Sequence, residues 1–366
     1  MWCAPVLNFG LLIDLCLALA PHLQAPYNES ATQTIGLTFA RVIEERIYSV
    51  MDKMPKYAFF EGKVVPIEEA KVSVMIHGLN YGTAAFGGIR GYWSAEEEQL
   101  FIFRPLDHFT RLLGSAKMLM MNLDYSAEQL KDILVDLLRT EGFRENVYVR
   151  PLAYKSALGI GVRLHDIPDA FTMFAFPYGT YLATSAPAKV GVSAWRRVDD
   201  TMIPARGKIS GAYVNSALAK SDAVLSGFDE ALVLTQDGHV SEASAANFFI
   251  IRNGKAITPP ISDNILEGIT RRTVITLLED VLSVPVVERS IDRTELYLAD
   301  EAFFCGTGIQ IAAVGSIDHR PVGNGEQGPV VTRLTEVFHR VVTGAYPDYR
   351  HWLEPVFAKE PVSGSL

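Results

Sequence analysis

The chain has 366 residues, of which 49% are hydrophobic and 20% charged, so it can bury a substantial core and is not a disordered chain. A formal net charge of -9 and the lack of any Lys/Arg run exclude a nucleic-acid surface. Cys3, Cys16 and Cys305 make neither a disulfide framework nor a zinc spacing, and the eight histidines contain no HExxH, so no metal is expected and a reducing, cytoplasmic setting is.

Residues 1–53 differ from the rest. Val6 to Ala20 is apolar but carries Asp14, and it is too short to cross a bilayer, so no membrane partner is expected. It lacks the basic start of a signal segment, because the first positive charge is Arg41. We expect this extension to lie outside the fold, with Met54 as the functional start.

From Tyr57 the pattern is regular. Tyr57–Phe60, the turn Glu61-Gly62 and Lys63–Val65 read as a hairpin. Lys71–His77 reads as a strand, followed by the glycines Gly78, Gly82, Gly87 and Gly88 and then Ile89–Trp93. Gln99–Phe103 is a strand that ends at Arg104-Pro105. Two helical spacings follow, Leu106 to Met120 and Ala127 to Leu138, the second with Ser126 as N-cap. Asn146–Leu152 and Ala170–Phe176 close a first domain, 54–176. Pro177-Tyr178-Gly179-Thr180 opens a linker, 177–188.

The second domain, 189–360, starts with the strand Lys189–Ala194. A lysine stretch precedes the helix Tyr213 to Leu225. Two hairpins follow, one turning at Asp237-Gly238 and one at Asn253-Gly254, the second being the strongest two-residue hairpin signal. A helix is expected from Ile269 to Leu282, then strands Val286–Ser290 and Ala302–Cys305. Gly328-Pro329 opens a last helix that stops at Gly344.

The chemistry centres on Lys208, in Pro204-Ala205-Arg206-Gly207-Lys208-Ile209-Ser210-Gly211-Ala212-Tyr213. A lone lysine before a helix is ordinarily a solvated one. Other stretches change its reading. Gly306-Thr307-Gly308 lacks the third glycine and the acidic residue of a dinucleotide loop. It suits a phosphate instead, as does Gly268-Ile269-Thr270, which opens a helix and leaves free N–H groups at its positive end. Arg104, at a strand end, can add a charge-assisted bond. Glu242 sits among small residues that leave room for a flat ring, and Tyr213 offers a hydroxyl. Singly these are a helix-start threonine, a turn threonine, a surface arginine, a loop glutamate and a half-buried tyrosine. Together they describe a pyridoxal 5'-phosphate pocket: a lysine for the aldehyde, a carboxylate for the pyridine nitrogen, a donor for the ring hydroxyl and a cup for the phosphate.

Seven stretches in order resemble the branched-chain amino acid aminotransferases, fold-type IV pyridoxal phosphate enzymes, from about Met54 to Val356. They are His77 to Thr83, Phe86 to Arg90, Tyr148 to Pro151, Lys208 to Tyr213, Ser241-Glu242 with Asn247 to Phe249, Leu266 to Arg271, and Tyr297 to Glu301 with Gly306-Thr307. The resemblance implies an α/β (α+β) fold, with a small α/β domain and a larger pseudo-barrel domain. It also implies the transfer of the amino group of leucine, isoleucine or valine to 2-oxoglutarate. By the same resemblance Lys208 carries the imine, Glu242 and Tyr213 serve the ring, and Leu266 packs on it. Arg104, Gly268, Ile269, Thr270 and Thr307 form the phosphate cup. Tyr148 and the backbone of Thr307-Gly308 would hold the substrate carboxylate with Arg150 in support, and Phe86, Tyr178, Tyr181 and Tyr213 would wall the side-chain pocket. Tyr81 and the loop at Gly161-Val162 would come from a neighbouring subunit, which implies a homodimer or a higher homo-oligomer.

Three positions depart from the family pattern. Gly87 stands where a glutamate is usual, Ser210-Gly211-Ala212 where Gly-Gly-Asn is common, and Tyr178 where a tryptophan is common. These leave open a D-amino acid or (R)-amine transaminase, or an aminodeoxychorismate lyase, of the same fold. A cofactor-binding protein without turnover is the alternative of another class.

Overall fold

The computed structural model describes residues 54–179 and 186–358. The extension 1–53, residues 359–360 of the second domain and Tyr181 lie outside them. From Pro55 onward the chain forms one compact unit built on two sheets.

The first sheet comprises β1 (Tyr57–Phe60), β2 (Lys63–Pro66), β3 (Ala84–Phe86), β4 (Ile89–Ser94), β5 (Gln99–Phe103), β6 (Val147–Lys155), β7 (Asp169–Pro177) and, from the far end of the chain, β17 (Leu353–Pro355). Its order is β17-β5-β4-β6-β7-β1-β2, with β3 on β6. All its pairings are antiparallel. The helices α2 (Pro105–Met118) and α3 (Ala127–Glu141) bury their apolar stripes with it. In α3 that stripe is Leu130, Leu134, Leu137 and Leu138, spaced i, i+4, i+7, i+8. Each such leucine stabilises the fold by roughly 1.5–3 kcal/mol. Ser126 caps α3 in a capping box with Gln129.

The second sheet runs β10 (Val240–Ala243), β9 (Glu230–Leu234), β8 (Ala188–Arg196), β15 (Gln310–Ile317), β14 (Glu301–Gly306), β11 (Asn247–Arg252), β12 (Lys255–Thr258), β13 (Val286–Glu288), with β16 (Arg320–Pro321) on β15. β8 and β9 are parallel neighbours, joined through the helix α4 (Tyr213–Leu225), which packs on them through Ala219 and Ala223. The Ala243 N–H donates to the Ala246 carbonyl at 2.8 Å, so the hairpin from β10 to β11 draws the two ends of a six-strand run together. This closure is the pseudo-barrel. Its interior is filled by Val190, Leu232, Phe248 and Phe304.

Three elements differ from expectation. Lys71–His77 is not a strand: 71–76 is irregular and His77–Tyr81 is a short helix, α1. Its valines face outward, Val74 at 79% exposure, so their spacing records an exposed apolar surface rather than a buried face. The expected helix 269–282 holds its α geometry only over Ile269–Thr276 (α5) and then widens to a π turn, with the Leu282 N–H on the Leu277 carbonyl at 3.1 Å. The last segment does not stay with the second sheet: β17 pairs with β5, because Leu353 and its neighbours complete that edge. Between Pro177, where β7 ends, and Ala188, where β8 begins, the chain passes from one sheet to the other.

Candidate active site

The lysine segment is held as an extra strand. The Phe86 N–H donates to the Lys208 carbonyl at 3.0 Å, and Ala85 bridges Ile209. On the other side the Lys208 N–H donates to the Ser115 hydroxyl at 3.1 Å, which in turn donates to the Arg111 carbonyl at 2.9 Å. The backbone at Lys208 is thereby fixed to β3 and to α2. Gly82 and Gly211 meet next to it: a Cβ on Gly82 would lie 2.8 Å from Gly211 Cα.

The side chain opens on a cavity of about 350 Å³, within the usual range for small-molecule sites. Lys208 Nζ reaches the Tyr213 hydroxyl and lies 4.9 Å from the centre of the Phe86 ring. Burial, with Arg111 adding to it, pushes the Lys208 ammonium down to about 8. Burial pushes the Tyr213 phenol up to about 12, with Glu242 adding to it.

Glu242, on β10, is saturated with donors. One carboxylate oxygen pairs with the Arg197 guanidinium at 2.9 Å. The other accepts from the Leu266 N–H at 2.9 Å and the Asn247 amide at 3.2 Å. Asn247 also donates to the Leu266 carbonyl at 2.9 Å, which fixes the short segment that presents Leu266 to the cavity. Gly268 follows as N-cap of α5. A Cβ there would lie 2.0 Å from Asn247 Oδ1, so only glycine lets the helix start this close.

Ile269 and Thr270 open α5 at the cavity wall, and Thr307 and Gly308 line it from the turn between β14 and β15. The arginine at this end is Arg111, not Arg104. Arg111 lines the cavity and donates to the Glu267 carbonyl at 3.2 Å, and burial lowers its pKa to about 10. Arg104 is turned away: it pairs with Asp107 at 2.8 Å, donates to the Thr273 hydroxyl at 2.9 Å and lies over the Trp352 ring at 4.9 Å. Arg104 is the N-cap residue before α2, in a left-handed conformation (φ 50°), and Arg111 lies inside the helix seven residues on, so the strand-end position did not mark the arginine that reaches the cavity.

The opposite wall comes from the first sheet. Tyr148 and Arg150 alternate on β6 and so share a face, with Arg150 donating to the Tyr148 hydroxyl at 3.3 Å. The guanidinium lies 4.6 Å from the Phe86 ring centre, and its buried Nε has no partner among the described residues. Phe86 meets Tyr213 ring to edge at 4.8 Å, and Tyr178 lies 5.2 Å from Tyr148. A Cβ on Gly88 would lie 2.0 Å from the Tyr148 hydroxyl, and one on Gly87 2.6 Å from Pro151 Cγ.

The structure thus brings together Lys208, Tyr213, Glu242, Leu266, Gly268, Ile269, Thr270, Thr307, Gly308, Phe86, Tyr148, Arg150 and Tyr178. Tyr81 is not among the lining residues; its hydroxyl accepts the Gly161 N–H at 3.0 Å, on the surface formed by α1 and the loop at 158–162. Sequence reasoning missed Arg111, Phe176, Asn247 and Ile309 as lining residues. It also missed Arg90, a fully buried arginine that donates to the Gly308 carbonyl at 2.9 Å and the Tyr178 carbonyl at 3.1 Å, tying the 307–309 turn to the start of the linker. Phe176 was findable, since it alternates with Phe174 on β7. Nothing in the spacing marked Arg90.

Among the described residues no group of three or more His, Cys, Asp or Glu could hold a metal, and no helix is long and apolar enough to cross a membrane. The donor set does fit pyridoxal phosphate. A lysine amine near 8, a carboxylate held by three donors and a helix start flanked by Thr307 and Arg111 match its aldehyde, ring nitrogen and phosphate.

The amino-transferase class IV family matches residues 94–317. A probable branched-chain-amino-acid aminotransferase of Aquifex aeolicus is 50% identical over 303 residues, covering 83% of this chain and 97% of that protein. Two solved structures superpose well. The branched-chain aminotransferase of Thermoproteus uzoniensis with norvaline is 41% identical with a TM-score of 0.80, covering 83% of this chain and 100% of that one. The branched-chain amino acid aminotransferase of Thermobaculum terrenum in its PLP form is 37% identical with a TM-score of 0.80, covering 84% of this chain and 100% of that one. The chain belongs to the pyridoxal phosphate-dependent class IV aminotransferases and, within them, to the branched-chain amino acid aminotransferases.

Proposed function

We propose that the protein transfers the amino group of leucine, isoleucine or valine to 2-oxoglutarate, with pyridoxal phosphate seated at Lys208. One observation carries this reading. A buried lysine amine, lowered to about 8, faces an anchored carboxylate at one end of the cavity and, at the other, a guanidinium with no carboxylate partner among the described residues. Bound there, the cofactor supplies an electron sink for the electrons of the substrate's Cα–H bond.

The protein's own groups do the rest. Glu242 would pair with the ring nitrogen, Tyr213 would hold the ring hydroxyl, and Leu266 would lie against the ring. Arg111, Thr307, Thr270 and the first N–H groups of α5 hold the phosphate. Lys208 Nζ would take the proton from the substrate Cα and deliver it to the cofactor's aldehyde carbon, for which a pKa near working pH suits it. Tyr148 and the Thr307-Gly308 backbone hold the α-carboxylate, and Phe86, Phe176 and Tyr178 exclude water around an aliphatic side chain. When the partner substrate is 2-oxoglutarate, the guanidinium of Arg150, free of any carboxylate among the described residues, accepts its distal carboxylate.

The working form we propose is a homodimer, in the cytoplasm. Support comes from the exposed apolar surface of Val74, Leu79, Leu158, Ile160 and Val162, with Ile160 at 92% exposure, beside Tyr81. A second copy docking there would bring Tyr81 and the 161–162 loop to its neighbour's cavity.

A donor panel tests the activity: leucine, isoleucine, valine and D-alanine, each with 2-oxoglutarate. Leucine, isoleucine and valine should all outrun D-alanine. Preference for D-alanine would overturn the assignment and favour the D-amino acid reading that Gly87 leaves open. Arg150→Met should raise the KM for 2-oxoglutarate about tenfold, the worth of one hydrogen bond to a charged group, and change that for leucine much less.

A further inference from the structure

We propose that Arg197 is a positioning residue for the cofactor: it fixes the place and charge of Glu242 and clamps it to the segment that leads into the phosphate helix. Arg197 follows β8, and its own N–H is held by the Leu234 carbonyl at 2.8 Å. Its guanidinium reaches two different elements. One terminal nitrogen pairs with Glu242 Oε1 on β10 at 2.9 Å. The Nε donates to the Asn264 carbonyl at 3.0 Å. Asn264 is itself set in a left-handed conformation, φ 58°, and its amide donates to Asp199 at 3.2 Å. Two residues on, the Leu266 N–H returns to Glu242 Oε2, and Gly268 then caps α5.

A planar guanidinium thus holds the ring-nitrogen carboxylate and the approach to the phosphate cup at one spacing. A lysine, with a single point charge, cannot serve both acceptors in that plane. Arg197 does not itself line the cavity, so it acts through Glu242 and not on the substrate. Both side chains are nearly buried, at 12% and 6% exposure, where an ion pair is strong and an unpaired carboxylate costly. The charged and titratable groups that face Glu242 are Arg197 behind it and Tyr213, Lys208 and Arg111 across the cavity. Arg197 is the one in direct contact with its carboxylate. Without it the carboxylate would lose its one charged partner and half of its tether to the segment before α5, and would sit less firmly against the ring nitrogen. This rests on the reading of the cavity as a pyridoxal phosphate site.

The experiment compares the full chain with R197Q and R197K. Apoprotein is titrated with pyridoxal 5'-phosphate, followed by quenching of intrinsic fluorescence, and the visible band of the loaded protein is titrated with pH. R197Q should weaken cofactor binding about tenfold and lower kcat by a similar factor, the size expected for one charge-assisted bond, with the KM for leucine little changed. Its visible band should titrate at a shifted pH. R197K should restore the wild-type titration, because the charge is kept, but not the full affinity, because the Asn264 clamp is lost. Wild-type affinity and titration in R197Q would overturn the proposal. So would R197K matching R197Q in every readout, which is the mark of a merely structural arginine. Should R197Q fail to fold, wild-type affinity in R197K alone would overturn it. Wild-type protein that binds no pyridoxal phosphate would take down the cofactor reading and the proposal with it.

Discussion

Glu242, a buried charge, and Arg150, a half-buried one, stand on strands that face one cavity, yet their surroundings are opposite. Glu242, on the pseudo-barrel side, accepts from Arg197, Leu266 and Asn247. Arg150, on the first sheet, has the Tyr148 hydroxyl at 3.3 Å and a buried Nε without a partner among the described residues. A buried donor left without an acceptor is costly, and a carboxylate ligand would complete it. The saturated end serves a group that stays in place through the reaction, where preorganised partners need not rearrange. On the proposed reading, the unsaturated end serves ligands that are exchanged twice per cycle and differ in charge. The same contrast appears in the backbone. Gly268 is crowded by Asn247, a fixed partner, whereas Gly88 is crowded by Tyr148, which the proposed function assigns to the substrate.

The sharpest way to break this comparison is at the residue between the two ends. Lys208→Ala should lower turnover by at least about a thousandfold, within the range for losing a proton-transfer group, while pyridoxal phosphate still binds without covalent attachment. Steady-state rates and reduction with borohydride check both parts. Residual activity near wild type would mean that the cavity is not where the chemistry occurs.

The next largest effect belongs to the substrate end alone. A methyl at Gly88 would overlap the Tyr148 hydroxyl, at 2.0 Å, and must move that ring. Gly88→Ala should cut kcat/KM about a hundredfold, the scale of a 1 Å misplacement, and leave cofactor affinity unchanged. If cofactor affinity fell as far as kcat/KM, the two ends would not be separable.

How much of this was legible in the sequence follows the same division. Lys208, Glu242 and the Gly268-Ile269-Thr270 helix start were readable because local chemistry marks them: a lysine ahead of a helix, a carboxylate among small residues, a glycine N-cap. The hairpin and helix boundaries were readable for the same reason, from turn glycines and the Ser126 cap. What was missed depends on tertiary approach. Arg104 stands at the N-cap of α2 and Arg111 inside the helix, and only Arg111 reaches the cavity. Arg90, Arg197 and Asn247 act through backbone carbonyls or a carboxylate distant in sequence, and periodicity carries no trace of that. Lys71–His77 misled because an exposed apolar surface and a buried strand have the same composition.

Exchanging the two arginines tests the corrected phosphate end. Arg111→Met should weaken pyridoxal phosphate binding about tenfold or more, as expected for losing a charged donor to a phosphate. Arg104→Met removes the contacts to Asp107, Thr273 and Trp352 and should act mainly on thermal stability, with cofactor affinity within about threefold of wild type, since it offers no donor to the cavity. Titration of both apoproteins with pyridoxal phosphate decides it. Equal loss of affinity would return Arg104 to the phosphate cup.

The smallest effect is a pH dependence, and its sign is fixed by the direction of the lysine shift. Lys208 titrates near 8 in the folded chain against the usual 10.5, because burial disfavours its charged form. Below about 8 both folded and unfolded chains carry the ammonium, and the folded apoprotein bears the full cost of burying it. Between about 8 and 10.5 the unfolded chain holds a proton that the folded chain has released, so apoprotein stability rises with pH across that window. Because the amine opens on a cavity that water can enter, the gain is on the order of 1 kcal/mol rather than the full linkage value. Lys208→Met should abolish that slope in urea unfolding of the apoprotein, leaving the carboxylate-driven loss of stability at acid pH intact. The same neutral amine attacks the cofactor aldehyde, so uptake should rise about tenfold per pH unit up to about 8 and then level. An uptake rate still climbing toward 10.5 would show a solvated lysine, and with it a cavity whose two ends do not share a desolvated centre.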